Sequence, residues 1–409
     1  MTTCIPRPRS MLGLLACVLA LLLPAGAALA EVEASLDLRL VSSDGRASFV
    51  DGGLGKLRFD SADQGLQLGR ARLAWRGGIG GDWHAGVDVS AWSLDDRHPV
   101  DVTEAWLEWR PVPDSAWRSN VKIGAFYPPV SLEHRAPGWS NPYTISSSAL
   151  NTWVGEELRT IGLAYELEHL GIASGGRFDF GAHVAIFGWN DPTGVELALR
   201  GFSLNDRQTP LFGRIGTFAA SGRQQRVIFS EVDGRAGVHF GAYAKTDGGA
   251  ELRALRYDNR GDRAQFKASI DDYAWNTTFD SIGFRYDAPG GTVFISQWLR
   301  GTTYASPDLA NCWDFRTWFA MLGKGFGKHR FAVRYDDFSV LQTTAHSPPP
   351  WSRDTGHALT IGWNFALHEH VELAAEWLRI NGTNTRRSAL GESPRAVEHS
   401  AQLSVKFFL

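Results

Sequence analysis

The chain has 409 residues, a formal net charge of −3 at pH 7 and a hydrophobic fraction of 44%. The slight acidic excess argues against a nucleic-acid partner, which would require a basic face. Only Cys312 of the three cysteines lies beyond the first 30 residues, so no intramolecular disulfide is expected after removal of that segment.

The first 30 residues have the pattern of a secretory signal peptide. Arg7 and Arg9 precede an apolar run over residues 11–23, and an Ala-Leu-Ala sequence ends at Ala30. This pattern predicts export and cleavage after Ala30. A lipoprotein site at Cys17 is the alternative, but the apolar run continues past that cysteine instead of ending there.

Residues 31–409 form one continuous unit without a linker. They contain no run of eighteen apolar residues, so no transmembrane helix is expected. The whole chain nevertheless carries 44 Gly, 16 Trp and 23 Phe. Abundant aromatic residues, with apolar residues that are never gathered into blocks, are typical of outer-membrane barrels with aromatic girdles at both interfaces.

Alternation of apolar and polar residues is the main structural signal. In residues 83–92, Val87, Val89 and Ala91 alternate with Asp88 and Ser90. Ten residues match the nine to eleven that a tilted strand needs to cross a bilayer. A soluble β-sandwich would also alternate, but at this length it would usually divide into domains. Similar alternation occurs in residues 70–76, 120–125, 161–167, 178–186, 330–336, 359–365 and 371–377.

The chain end also alternates. Ala401, Leu403, Val405, Phe407 and Leu409 occupy every second position. This pattern resembles the last strand of outer-membrane barrels, which the barrel assembly machinery reads. We therefore predict an all-β, transmembrane antiparallel β-barrel of about 16 strands, with 18 as the alternative, embedded in outer-membrane lipid.

Three stretches lack clear alternation and predict loops. Residues 127–156 and 189–209 are expected to fold inward and narrow the channel, as loops do in barrels of this size. Residues 342–355 contain three consecutive prolines and predict an external loop. Alternation is weakest over residues 188–235, where the strand count is least defined.

Several segments resemble the phosphate-selective porin O and P family. They are Gly-Arg-Ala-Arg-Leu at residues 69–73, Thr-Glu-Ala-Trp at residues 103–106, and residues 122–133, which end in Leu-Glu. The resemblance covers the first third and last sixth of the mature chain and implies a sixteen-stranded, usually trimeric, anion-passing channel. Gly69 and Thr103 depart from the family pattern, and Arg200, Arg207 and Arg214 are a thin counterpart of its arginine-rich constriction loop.

Charged residues on the polar faces are candidates for the pore lining. Guanidinium groups in a narrow pore lower the barrier for anions, because low-dielectric walls focus their field. Acidic residues on intervening strands would oppose them, or the two sets would pair across strands and stiffen the barrel. The basic candidates are Arg70, Arg72, Arg76 and Lys122, and the acidic candidates are Asp88, Glu104 and Glu108.

These features predict a porin for passive diffusion of small solutes, with preference for phosphate or similar oxyanions. The alternative is a structural or adhesive barrel without channel activity; inner-face glycines such as Gly86 and Gly181 favour an open lumen. No nucleophile elbow, zinc-binding His-Glu-x-x-His or Cys-x-x-Cys motif is present, so no enzyme activity, metal or cofactor is expected.

Overall fold

The computed structural model describes residues 30–92, 100–216, 225–305, 307, 311–343 and 352–409. Within them, sixteen antiparallel strands close into a barrel, and β1 pairs with β16. The predicted architecture and the strand number of sixteen are confirmed. Residues 1–29 of the predicted signal peptide lie outside the described residues. The strands are β1 (Ala30–Ser43), β2 (Gly65–Gly80), β3 (Trp83–Ala91), β4 (Val100–Trp109), β5 (Trp117–Phe126), β6 (Thr160–His169), β7 (Phe178–Gly188), β8 (Gly237–Thr246), β9 (Ala250–Asp258), β10 (Asn276–Ala288), β11 (Thr292–Tyr304), β12 (Cys312–Phe326), β13 (His329–Gln342), β14 (Arg353–His368), β15 (Val371–Asn384) and β16 (Arg395–Phe408).

The outer face of the barrel is apolar and exposed. In β7, Phe178, Phe180, Val184 and Ile186 point outward and are 44–58% exposed. Large apolar side chains repeated around a whole barrel surface would be costly in water. This face is therefore the surface that contacts lipid, as the alternation predicts.

The two ends of the barrel differ. At the end where β1 begins, short turns such as residues 81–82 and 327–328 join the strands; we call this the short-turn end. At the opposite, long-loop end, connections extend to the 48 residues 189–236. Strands of opposite direction alternate around the barrel, so every long connection emerges at the same end.

In the part of the chain that the structure describes, three long connections fold into the barrel. The first inward segment is residues 44–64, in which Phe49 and Leu57 are buried. The second, residues 127–159, contains helix α1 (Ala149–Glu157), whose nine residues are all buried. The third comprises the described residues 189–216 and 225–236 and contains helix α2 (Val195–Arg200). The second and third confirm the two predicted inward loops, whereas inward folding of the first was not predicted.

The inner wall formed by β10–β12 carries apolar residues that pack against α1. Phe279 of β10 and Phe315 of β12 point inward, and their rings lie 5.3 and 5.1 Å from the ring of Trp153. Ile295 and Leu299 of β11 join the same buried cluster. The expectation of a polar inner face is therefore wrong on this side, because the inward segments replace water there.

Inner-face glycines accommodate aromatic side chains. A Cβ added at Gly86 would lie 2.5 Å from the ring of Trp106 on β4. One added at Gly181 would lie 2.7 Å from the ring of Tyr243 on β8. The interpretation that these glycines leave open space in the lumen is therefore wrong, since neighbouring rings occupy it.

The remaining elements are short. Two 3₁₀ helices cover Phe49–Asp51 and Thr385–Leu390, and two strand pairs outside the barrel join Arg214–Gly216 to Gln225–Val227 and Phe266–Lys267 to Asp272–Tyr273. The predicted external loop is shorter than expected, because β13 continues to residue 342 and β14 begins at residue 353; residues 344–351 lie outside the described residues.

None of the described helices is both long and apolar enough to cross a membrane.

Placing a charge on the outer face tests its contact with lipid. Val184→Arg, near the middle of β7, should lower the free energy of unfolding in vesicles by about 2 to 4 kcal/mol, because the guanidinium would enter hydrocarbon. Val184→Ala is the matched control and should cost less. Urea unfolding in phospholipid vesicles measures both, and equal stability of the arginine variant and wild type would contradict the assignment.

Candidate pore constriction

A cavity of about 440 Å³ lies inside the barrel, toward its short-turn end. β1, β2 and β16 form one side of it, and the second and third inward segments form the other. Asp206 of the third segment lines this cavity and also a void of about 10 Å³ beyond it. The space inside this part of the barrel therefore narrows from the first cavity to the second at Asp206.

The predicted arginines of β2 share the inner wall beside this cavity. Arg72 donates hydrogen bonds to Asp88 on β3 at 2.7 Å and to Glu33 on β1 at 2.6 Å. Arg76 lies 3.4 Å from Glu33 and 3.9 Å from Asp88. The acidic candidate Asp88 is thus a direct partner of the arginines and balances part of their charge.

Arg70 binds the second inward segment to the wall. Its guanidinium donates to the backbone oxygen of Gly138 at 2.7 Å and to Ser90 Oγ on β3 at 2.8 Å. It also lies 4.9 Å from the ring of Trp92 and 3.7 Å from Asp88. Arg70 is therefore both a cation of the cavity and a structural contact of the segment that narrows it.

The other three predicted residues lie further around the wall, on β4 and β5. Lys122 Nζ lies 4.0 Å from the ring centroid of Trp106. Glu104 accepts the backbone N–H of Tyr127 at 3.2 Å, and Glu108 accepts an N–H of Asn120 at 2.8 Å. None of these three side chains lines the cavity described above, although all lie on the inner wall.

An ion-pair cluster lies where the space narrows, and it was not predicted from the sequence. Arg39 of β1 donates to Asp37 of its own strand and, at 2.5 Å, to Asp206. Arg58 of the first inward segment lies 3.3 Å from Asp206. Asp37 and Arg39 alternate with leucines in β1, a signal that would have placed them on the inner face. Asp206 lies in an irregular stretch and had no such signal.

Charge pairing sets the protonation of this cluster. Burial would raise the pKa of Asp206, but the guanidinium groups of Arg39 and Arg58 outweigh it and hold the pKa well below the ordinary value of 3.8. The stabilisation that the Asp206 carboxylate gives the folded state is therefore fully present when the pH is above the ordinary pKa of 3.8. It is lost progressively as the pH falls below that pKa. The bridge stays charged at neutral pH.

The second inward segment is anchored at the Leu-Glu pair singled out by the family resemblance. Glu133 accepts the Ser148 backbone N–H at 2.9 Å and its hydroxyl at 2.8 Å. Arg334 of β13 donates to the Ser146 backbone oxygen at 2.7 Å, and Asp336 accepts the Ala149 N–H at 3.0 Å. These buried contacts fix the start of α1 against β13.

Arg159 closes the same segment at its other end. Its guanidinium donates to the backbone oxygens of Thr103 at 3.0 Å and Thr209 at 2.9 Å. It also lies 3.5 Å from the ring centroid of Tyr127, whose ring stacks on Trp139 at 4.2 Å. One buried arginine therefore ties β4 to the second and third inward segments.

The three arginines predicted to correspond to an arginine-rich constriction loop do not come together at the cavity. Arg200 is buried, pairing with Glu156 at 2.5 Å and Glu196 at 2.7 Å, away from the cavity. Arg207 is also buried, whereas Arg214 is exposed. None of the three lines the cavity, whose arginines come from β1 and β2.

One acidic cluster in the third inward segment has ligand spacing for a cation. Asp191, Glu231 and Asp233 place carboxylate oxygens within 4.8 Å of one another. Burial and the neighbouring Glu231 and Asp233 raise the pKa of Asp191 to about 7. Asp191 accepts hydrogen bonds from the backbone N–H groups of Val232 and Asp233. The loop backbone itself therefore stabilises much of the negative charge of this cluster.

The sequence matches no known family model and no curated protein. Solved structures of outer-membrane proteins match the fold along most of the chain. OmpF of Salmonella typhi, in complex with daunomycin, gives a TM-score of 0.54 at 10% identity, covering 93% of this chain and 97% of that one. The loop L8 deletion mutant of OmpT from Vibrio cholerae gives 0.52 at 9% identity, with 93% and 99% covered.

A third is an anion-selective porin from Comamonas acidovorans, with a TM-score of 0.50, 11% identity, and 93% and 99% covered. The chain has the porin fold. Identities this low establish the fold alone, so membership of the phosphate-selective porin family stays a prediction. The sixteen strands, the inward segments and the charged inner wall are the features from which a function is inferred.

Removing the bridging carboxylate should loosen the third inward segment. Asp206→Asn leaves Arg39 and Arg58 buried without their shared counter-charge, which should cost about 3 to 5 kcal/mol. Single-channel conductance should rise, and urea should disrupt the fold at lower concentration. Asp114→Asn, in an exposed turn between β4 and β5, is the control. Unchanged conductance and stability would show that the bridge does not hold the segment.

Proposed function

We propose that the protein is an outer-membrane porin, a narrow channel for passive diffusion of small polar solutes with a mild preference for phosphate or similar oxyanions. The support is the cavity between β1, β2, β16 and the inward segments, which provides an aqueous space inside a membrane-embedded wall. The inward segments restrict passage to small solutes.

Unsatisfied hydrogen-bond donors carry the anion preference. Arg72 Nη2 and Trp92 Nε1 are buried beside the cavity and have no hydrogen-bond acceptor among the described residues. A buried donor without an acceptor is costly, and an oxyanion would supply one. Guanidinium groups bind phosphate and carboxylate through paired hydrogen bonds.

Acidic residues moderate this preference. The cavity is lined by four basic side chains and five acidic ones, so its fixed charges nearly cancel. A pore with both signs on its walls passes small solutes with weak charge discrimination. The basic residues are Arg39, Arg70, Arg72 and Lys406, and the acidic residues are Glu31, Glu33, Asp37, Asp206 and Glu372.

The proposal also covers the export and assembly of the protein. Residues 1–30 direct export and are removed after Ala30, and the alternating C-terminal strand is recognised by the barrel assembly machinery. We propose no catalytic activity for the barrel. It acts as a homotrimer, and an apolar depression of about 450 Å³ on the outer faces of β1 and β13–β16, lined by Leu403 and Trp377 among others, suits contact with a neighbouring barrel of that trimer.

A structural or adhesive barrel without channel activity is the second candidate. The observation that favours it is the packing of three inward segments inside the barrel, where a void that Asp206 lines measures about 10 Å³. Planar-bilayer recordings separate the two candidates, because a closed barrel gives no openings in any salt.

The first test is the reversal potential and conductance of the purified protein in planar bilayers under a salt gradient. We expect small, mildly anion-selective openings that added phosphate reduces. Openings indifferent to phosphate would leave a general porin and contradict the oxyanion preference. The absence of openings would favour the structural barrel.

The β2 arginines should set the selectivity. Arg70→Ala combined with Arg72→Ala removes two of the three β2 arginines that face Glu33 and Asp88, and Arg76 remains, so the anion-to-cation permeability ratio should fall by about tenfold. Arg379→Ala is the matched control, because Arg379 points outward from β15 and leaves the lumen unchanged. Heat-modifiable gel mobility checks folding, and an unchanged ratio in the folded double variant would exclude the arginines as selectivity determinants.

A further inference from the structure

Three arginines lie on the outer face of the barrel near its long-loop end. Arg256 of β9, Arg300 of β11 and Arg316 of β12 are all exposed, on a surface that is otherwise largely apolar. Charged side chains on a lipid-facing wall are costly near the membrane centre and are tolerated close to the interface. Their position therefore marks where the membrane surface meets the barrel.

Two tryptophans define that level independently. Trp298 and Trp318 also point outward, are paired directly across β11 and β12, and lie one outward position nearer the barrel centre than Arg300 and Arg316. Tryptophan side chains concentrate at the boundary between hydrocarbon and lipid headgroups. The arginines consequently lie at the depth of the headgroup phosphates, and the Arg300 guanidinium rests 5.5 Å from the Trp298 ring.

Two of the arginines face each other. Arg300 and Arg316 are register partners on adjacent strands. Like charges placed directly opposite on a sheet face destabilise it unless a counter-charge lies between them. Neither guanidinium forms a hydrogen bond or ion pair with any described residue, in contrast to the third member, Arg256, which donates to Asp280 at 2.7 Å. An external anion would provide the missing counter-charge.

A binding surface surrounds the pair. A shallow depression of about 740 Å³ is lined by all three arginines together with Asp280, Asp314 and several threonine and serine residues. Asp280 is hydrogen-bonded by Arg256 and is also the register partner of Arg300 on β10. Asp314 is the second carboxylate of the lining, so three arginines against two carboxylates leave the depression with a positive balance of one charge. Its hydroxyl groups add hydrogen-bond donors suited to phosphate oxygens.

We propose that this surface binds the phosphate group of a phosphorylated glycolipid in the outer leaflet. Arg300 and Arg316 hold the phosphate between them through charge-assisted hydrogen bonds, and the acyl chains lie against the apolar wall below Trp298 and Trp318. The site lies outside the barrel, so it operates whether or not the lumen conducts ions.

The test uses the purified, folded, full-length mature protein in detergent micelles, titrated with bisphosphorylated lipid A. Wild type should bind it, and Arg300→Gln combined with Arg316→Gln should weaken binding by about tenfold or more, since two charge-assisted contacts are lost. Arg379→Gln is the matched control: it removes an outward arginine whose register partners are Leu359 and His399 rather than another arginine. Its affinity should equal that of wild type.

The same protein is used to distinguish binding of a lipid phosphate from binding of free phosphate. Dephosphorylated lipid A should bind at least tenfold more weakly than the bisphosphorylated form. Inorganic phosphate should compete only at far higher concentration, because it lacks the acyl chains. Equal binding by the double glutamine variant, equal loss in Arg379→Gln, equal binding of dephosphorylated lipid, or inorganic phosphate binding as tightly as the lipid would each overturn the proposal.

Discussion

The packing of α1 and its neighbours against the apolar inner face of β10–β12 is the contact on which the rest of the molecule depends. Trp153 lies between Phe279 and Phe315, inside a barrel of sixteen strands that would otherwise enclose a wide aqueous lumen. Burial of aromatic and aliphatic side chains there replaces water with protein. The passage is consequently displaced to the opposite wall, where β1 and β2 carry the charges.

The charged wall follows from this displacement. A guanidinium group can be buried only when carboxylates or backbone oxygens satisfy it. Arg72 meets this requirement with Asp88 and Glu33 from neighbouring strands, whereas Arg39 uses Asp206 from an inward segment. The same electrostatic pairing therefore stiffens the wall and holds the third segment against it. As a result, the same residues determine both the architecture of the barrel and its permeability.

Much of the fold could be predicted from the sequence, because a wall with lipid on one side and water on the other requires strict alternation. Residues 83–92 and 178–186 show it clearly. Alternation fails in parts of β10–β12, where Phe279 and Phe315 face inward against protein and both faces carry apolar residues. The candidate charges on β2–β5 were found because their strands alternate. Asp206 and Arg58 were not, since irregular segments have no period that relates sequence to facing direction.

Docking of the inward segments is measured most directly by hydrogen–deuterium exchange of the folded protein in detergent. If α1 and α2 are packed as described, amides in residues 149–157 should exchange as slowly as those of the barrel strands, and those in residues 195–200 nearly so. Rapid exchange in both helices, with the strands still protected, would show that the segments leave the lumen in solution and would contradict a narrow, displaced passage.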